Sequence, residues 1–184
     1  MELLCGIDEA GRGPIAGPVC AAAVVLSPNF PIDLLNDSKK LNESQRLKLE
    51  QIIKDEAIAW AIGWANRKEI DEVNILQATM HAMERSYKRI ARSGLQISSV
   101  VVDGNRSPSI DVPCFAVIKG DATIPQIMAA SILAKTARDR LMMLLSKRYP
   151  LWGFESHKGY PTKAHKAACR LYGPSPIQRY SFTY

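Results

Sequence analysis

The chain has 184 residues, 47% of them hydrophobic and 23% charged, with a formal net charge of +6. That length fits one domain that buries roughly two-thirds of its unfolded surface, and no apolar run approaches the roughly 20 residues of a membrane span. Met1-Glu2 opens no basic stretch ahead of an apolar one, which argues against a secretory signal; Cys5, Cys20, Cys114 and Cys169 are too scattered for a Cys-x-x-Cys zinc site or a disulfide framework, so reduced core thiols and a cytoplasmic location are expected.

Leu3, Leu4, Cys5 and Ile7 predict a short buried strand, with Asp8 and Glu9 at its carboxyl end. Ligands of α/β proteins bind at such ends. The strand runs into Gly11-Arg12-Gly13-Pro14, where both glycines are expected to take positive φ and to let the backbone approach a bound molecule. Arg12 between them offers a cation suited to phosphate. Residues 19 to 26 form a second buried strand, ended by Ser27-Pro28. Asn42 with Gln45 is a capping pair for a helix through about Asp55, and residues 58 to 65 read as the third strand. Leu76, Met80, Met83, Tyr87 and Ile90 follow four-three-four-three spacing, an amphipathic helix closed by Gly94. Residues 99 to 102 and 114 to 118 are two further strands, running into Asp103-Gly104-Asn105 and Lys119-Gly120-Asp121. Pro125 suits the first turn of a helix to about Arg148, whose positive end would help keep Asp121 ionised. The Pro- and Gly-rich residues 149 to 161 are expected to be a mobile connector.

Three strand ends therefore carry acids. If the strands are neighbours, Asp8, Glu9, Asp103 and Asp121 converge, and such anions raise one another's pKa values unless a cation intervenes. A donor set made only of oxygens favours Mg²⁺ or Mn²⁺ over zinc. The opposite charge gathers late in the chain: residues 135 to 184 hold ten Lys or Arg against Asp139 and Glu155 alone. Aromatic residues from Tyr149 to Tyr184 are interleaved with them, a mixture suited to neutralising phosphate and stacking on sugars or bases.

Six motifs resemble, in order, those of bacterial ribonuclease HII: residues 8 to 19, Asp37-Ser38-Lys39-Lys40-Leu41, Val102-Asp103-Gly104, Lys119-Gly120-Asp121-Ala122, residues 129 to 135, and His157-Lys158-Gly159-Tyr160-Pro161-Thr162. The chain departs from that pattern at Gln178-Arg179-Tyr180-Ser181-Phe182, where the family often has a more basic Arg-Ser-Phe segment. The resemblance implies an α/β, ribonuclease H-like mixed sheet of about five strands with helices on both faces and a helical C-terminal extension. Residues 1 to 184 would form one catalytic domain, with those from about 150 onward as a basic, aromatic substrate-binding part. It further implies an endoribonuclease that hydrolyses the RNA strand of RNA–DNA hybrids and cuts 5′ of ribonucleotides embedded in duplex DNA, leaving 5′-phosphate and 3′-hydroxyl ends.

On this reading Asp8, Glu9, Asp103 and Asp121 are the catalytic acids and hold the metal, Mn²⁺ or Mg²⁺, two ions in the substrate complex. Gly11, Arg12 and Gly13 offer backbone donors and acceptors to the 2′-hydroxyl, the group that separates RNA from DNA. Tyr160 would stack on the adjoining sugar, and Lys39 with Lys40 would meet phosphates of the DNA strand. No histidine is needed: His81 is expected to pack or be solvated, and His157 and His165 to serve phosphate contact or loop structure. A monomer is expected, and nothing in the sequence assigns docking to a sliding clamp. The rivals are another metal-dependent nuclease and a catalytically silent nucleic-acid-binding module on the same fold. The stretch from Gly11 to Gly17 is no nucleotide-phosphate loop, since no Gly-Lys-Ser/Thr follows it.

Overall fold

The computed structural model describes residues 2–35 and 42–182, so Asp37, Ser38, Lys39 and Lys40 lie outside the described residues. Strand β1 (Leu3–Ala10) runs further than expected and includes both acids. The reason is its partner: β2 (Val19–Leu26) pairs with it antiparallel past the acids, with Asp8 opposite Ala22 and Glu9 opposite Ala21. Strand β3 (Ala57–Ala65) continues the sheet antiparallel to β2. On the other side β4 (Ile97–Asp103) lies parallel to β1, and β5 (Cys114–Val117) parallel to β4. The order β3-β2-β1-β4-β5 thus puts the carboxyl ends of three parallel strands on one edge.

Strand residues alternate between two helical layers, because successive side chains point to opposite faces. Cys5, Ile7, Val100 and Val102 meet Ile70, Met83, Tyr87 and Ile90 of α2 (Arg67–Ala91). Cys20, Ala22 and Val24 meet Leu49 and Ile53 of α1 (Glu43–Glu56) and Ile132 and Leu133 of α3 (Pro125–Arg148). The expected capping box is present, the Asn42 and Gln45 side chains each accepting from the other's backbone N–H at 2.9 Å. Between α1 and α3, Arg140 grips Glu50 through both carboxylate oxygens, and Lys54 adds a third bond. Burial alone would raise the Glu50 pKa, but these donors hold it below the ordinary range. Among the described residues no helix is long and apolar enough to cross a membrane.

Helix α2 starts well before the expected Leu76. Asn66 caps a first segment, and at Asn74 (φ 71°) the backbone breaks and restarts, the Asn74 side chain capping the second segment through the N–H of Gln77. The apolar stripe marks only that second segment. Close approach of α3 to β1 is a tight requirement beneath the site, since a methyl group at Gly6 would overlap the backbone of Gln126 and Ile127. Gly6→Ala is therefore expected to destabilise the protein by about 1–3 kcal/mol through overpacking, measurable as a lower urea midpoint with unchanged slope.

Residues 149 to 161 are not an open connector. They hold a 3₁₀ turn at Pro150–Trp152 and a short α4 (Phe154–His157) before α5 (Lys163–Tyr172). Phe154 is fully buried against Ala16 and Met142, and the Trp152 indole donates to the Gly173 carbonyl. The prolines and glycines that suggested a linker instead make turns, and the aromatic residues between them build a small second core.

Candidate active site

Asp8 lies on the α3 face of β1, one strand away from Asp103 on β4, in a ladder that pairs Ile7 with Val102. Adjacent strands are about 4.8 Å apart, so the two acids are neighbours across the ladder, close enough for the Asp103 charge to bear on Asp8. Asp8 is buried, accepts from the N–H of Glu9 at 2.7 Å and is hydrogen-bonded to Ser131 of α3. Burial first, then the charges of Glu9 and Asp103, push its pKa well above the ordinary carboxylate range. Glu9 is raised too, by burial and by Asp103, against the pull of Arg12. The backbone N–H of Asp121, in the turn ahead of α3, donates to Asp103 Oδ1 at 3.3 Å.

All four acids line one cavity of about 450 Å³, shared with Gly11, Arg12, Gly13, Ser131, Lys135 and Tyr160. Among the described residues no three His, Cys, Asp or Glu side chains already close on a single point; the acids are held around a common space. The fit to a hard divalent cation rests on the donors themselves. They are oxygens only, and buried Asp8 lies beside half-buried Glu9, whose charge bears on it, a repulsion that an ion would relieve.

The glycine turn departs from expectation at two points. Gly11 has φ +99° and abuts Arg138, but Gly13 keeps an ordinary φ; what its missing side chain leaves is space beside the Tyr160 ring. Arg12, 49% exposed at its side chain, is tied to Glu9 at 3.4 Å rather than standing free for phosphate. Tyr160 itself is 41% exposed into the cavity. Its carbonyl accepts from His165 Nδ1 at 2.9 Å, and its N–H donates to the His157 carbonyl. The two imidazoles stack at 4.3 Å and 12°, both with pKa values lowered chiefly by burial. These histidines serve loop structure and are not placed for phosphate contact. His81 pairs with Glu69 away from the cavity.

The family profile described as Ribonuclease HII matches residues 5–184. Proteins named Ribonuclease HII from Dechloromonas aromatica and Nitrosospira multiformis are 57% and 52% identical to it. The matches cover 98% and 97% of this chain and 90% and 88% of theirs. The chain belongs to the ribonuclease HII family. It is accordingly a hydrolase of the type 2 ribonuclease H class. The crystal structure of ribonuclease H2 from Pyrococcus horikoshii OT3 superposes with a TM-score of 0.76 at 27% identity, over 98% of this chain and 93% of that one. Bst-RNase HIII in complex with Mn²⁺ shares the fold, with a TM-score of 0.69 at 16% identity over 92% of this chain and 70% of its own.

Within this ribonuclease HII fold, sequence reasoning missed the roles of Ser131, Arg138 and Arg179. Arg138 and Arg179 were counted with the basic C-terminal surface, yet they are 1% and 0% exposed, and Arg140 is engaged by Glu50. The segment at Gln178–Phe182 is correspondingly not a phosphate-facing surface at Arg179. Only a long-range contact could have revealed this, because nothing local distinguishes a buried arginine from a solvated one.

Proposed function

We propose that this chain cleaves the RNA strand of RNA–DNA hybrids and cuts 5′ of ribonucleotides embedded in duplex DNA, with Asp8, Glu9, Asp103 and Asp121 as the catalytic acids. The observation that carries the site is the meeting of three parallel strand ends: it brings the acids to one cavity beside the Gly11–Gly13 turn and Tyr160. The four carboxylates would hold Mn²⁺ or Mg²⁺, two ions with substrate bound. The metal would supply a water acidic enough to attack phosphorus and charge to stabilise the leaving 3′ oxygen. Asp8, kept in place by Ser131 and the Glu9 amide, orients the donor set, and Glu9 stays aligned through Arg12.

The turn reads the ribose through its amides, and Tyr160 stacks on the adjoining sugar. The duplex lies along α5, whose Lys163 and Arg170 are exposed, and the chain works as a cytoplasmic monomer. Buried Cys5 and Cys20, with thiol pKa values pushed up to about 12 by burial, would be inert there.

A labelled duplex with one ribonucleotide, incubated with Mn²⁺ and then with EDTA beside an all-DNA control, tests this. Cutting of the ribonucleotide strand only, and only with metal, is expected; metal-independent or DNA cutting overturns it. The duplex path has its own check. Replacing Lys163 and Arg170 with Ala should lower the slope of log affinity against log salt by about 1–2, since each neutralised phosphate contributes about 0.9. An unchanged slope places the duplex elsewhere.

A further inference from the structure

Two buried arginines stand beneath the glycine turn, neither paired to a carboxylate by any ion pair among the described residues. Arg179 donates to the carbonyls of Gly11 at 2.7 Å, Arg12 at 3.2 Å, Pro14 at 2.6 Å and Gly17 at 2.8 Å. Arg138 donates to those of Ala16 at 3.2 Å, Pro18 at 3.0 Å and Lys158 at 2.9 Å. A methyl group at Gly11 would overlap Arg138, so that glycine is required by the arginine beneath it as much as by a ligand above. Burying an unpaired charge is expensive unless hydrogen bonds satisfy it, and neither guanidinium reaches solvent for any surface role.

The bonding pattern fixes which groups the turn can show to a ligand. In a trans peptide the C=O and the following N–H point in opposite directions. With the carbonyls of Gly11 and Arg12 turned inward onto Arg179, the N–H groups of Arg12 and Gly13 are turned outward, toward the cavity these residues line. Arg138 adds the second coordinate. It ties residues 16 to 18 to Lys158, two residues before Tyr160, and its guanidinium lies 6.0 Å from the Tyr160 ring centre.

We infer that Arg138 and Arg179 are positioning residues for ribose discrimination: they turn the Gly11–Gly13 amides outward and set the spacing between that turn and Tyr160. This inference rests on the ribonucleotide-reading role proposed for the turn. The arginines touch no substrate; they act through the backbone they hold. Lysine at either position keeps the charge but replaces a planar fork with one ammonium, which cannot reproduce bonds to three or four carbonyls.

The test is binding in EDTA, by anisotropy, to a duplex with one ribonucleotide and to the same sequence as all DNA. The parent should prefer the ribonucleotide duplex. Arg179→Lys and Arg138→Lys should each lower that preference by about tenfold, the worth of one or two well-made hydrogen bonds, while all-DNA affinity per folded molecule stays the same. Ile53→Val, which loosens the α1 core away from the turn, is the control: a purely structural loss scales both affinities and leaves their ratio intact. If the parent shows no preference, the proposed reading of the turn fails. If the parent prefers ribonucleotide and both lysine variants keep the full preference, the positioning role is overturned and the reading stands. Should neither variant fold, nuclear magnetic resonance of the parent decides: the amide protons of Arg12 and Gly13 must shift on adding the ribonucleotide duplex and not the all-DNA one, and equal shifts would overturn the inference.

Discussion

Asp8→Asn is expected to lower the cleavage rate by about a thousandfold or more while leaving the ion-free protein as stable as the parent or more so. The rate loss corresponds to several kcal/mol of metal-borne charge stabilisation. The stability effect has the opposite sign because Asp8 is destabilised in the fold: burial, Glu9 and Asp103 all raise its pKa. A carboxyl with a raised folded pKa binds its proton more firmly in the native state than in the unfolded chain. Its contribution is therefore fully present below the unfolded value of about 3.8 and is lost as pH rises through the raised value. Ion-free parent protein should lose thermal stability over that rise, with Glu9 adding to the slope in the same direction. The Asn variant should lose less. Adding Mn²⁺ should raise the parent's melting temperature by mass action and the variant's much less. Melting curves across pH with and without Mn²⁺, paired with cleavage rates, measure all of this. A variant that unfolds would make Asp8 structural, and one that cuts normally would remove it from the metal site.

Tyr160→Ala is expected to reduce cleavage at a lone ribonucleotide by one to two powers of ten, since stacking on an aromatic ring is worth about 1–3 kcal/mol. The ring is substantially exposed, and its backbone is held by His157 and His165, so the variant should fold. Tyr160→Phe keeps the stacking face and should lose little. Kinetics on a single-ribonucleotide duplex and on a uniform RNA–DNA hybrid decide it. Equal rates for Ala, Phe and parent would reduce the ring to loop packing and leave recognition to the Gly11–Gly13 turn.

What could be read from the residues alone followed from local physics. Continuous apolar runs place β2 and β4, a 3.6-residue stripe places the second segment of α2, and the Asn42–Gln45 pair marks the start of α1 within a residue. The acids were visible because strand ends followed by glycine are a local signal; that they share a cavity depends on strand order, which no period encodes. The first segment of α2 escaped because Asn74 breaks the helix and shifts the apolar stripe. The mispredicted connector shows the same limit: Pro and Gly mark turns, but whether turns pack is decided by distant partners such as Ala16 and Met142. Arg138 and Arg179 are the sharpest case, since charge alone reads as surface while all their acceptors except Lys158 lie more than a hundred residues away.

That separation bears on how the enzyme comes into being. Arg179 and its carbonyl partners are 162 to 168 residues apart in sequence, and closing so long a loop is a late event in folding. During synthesis the sheet and all four acids are complete by the time α3 has formed, well before residue 179 is made. A nascent or prematurely terminated chain would thus carry the acidic centre without the clamp that shapes the neighbouring turn. Its capacity to tell ribose from deoxyribose would be the last property acquired.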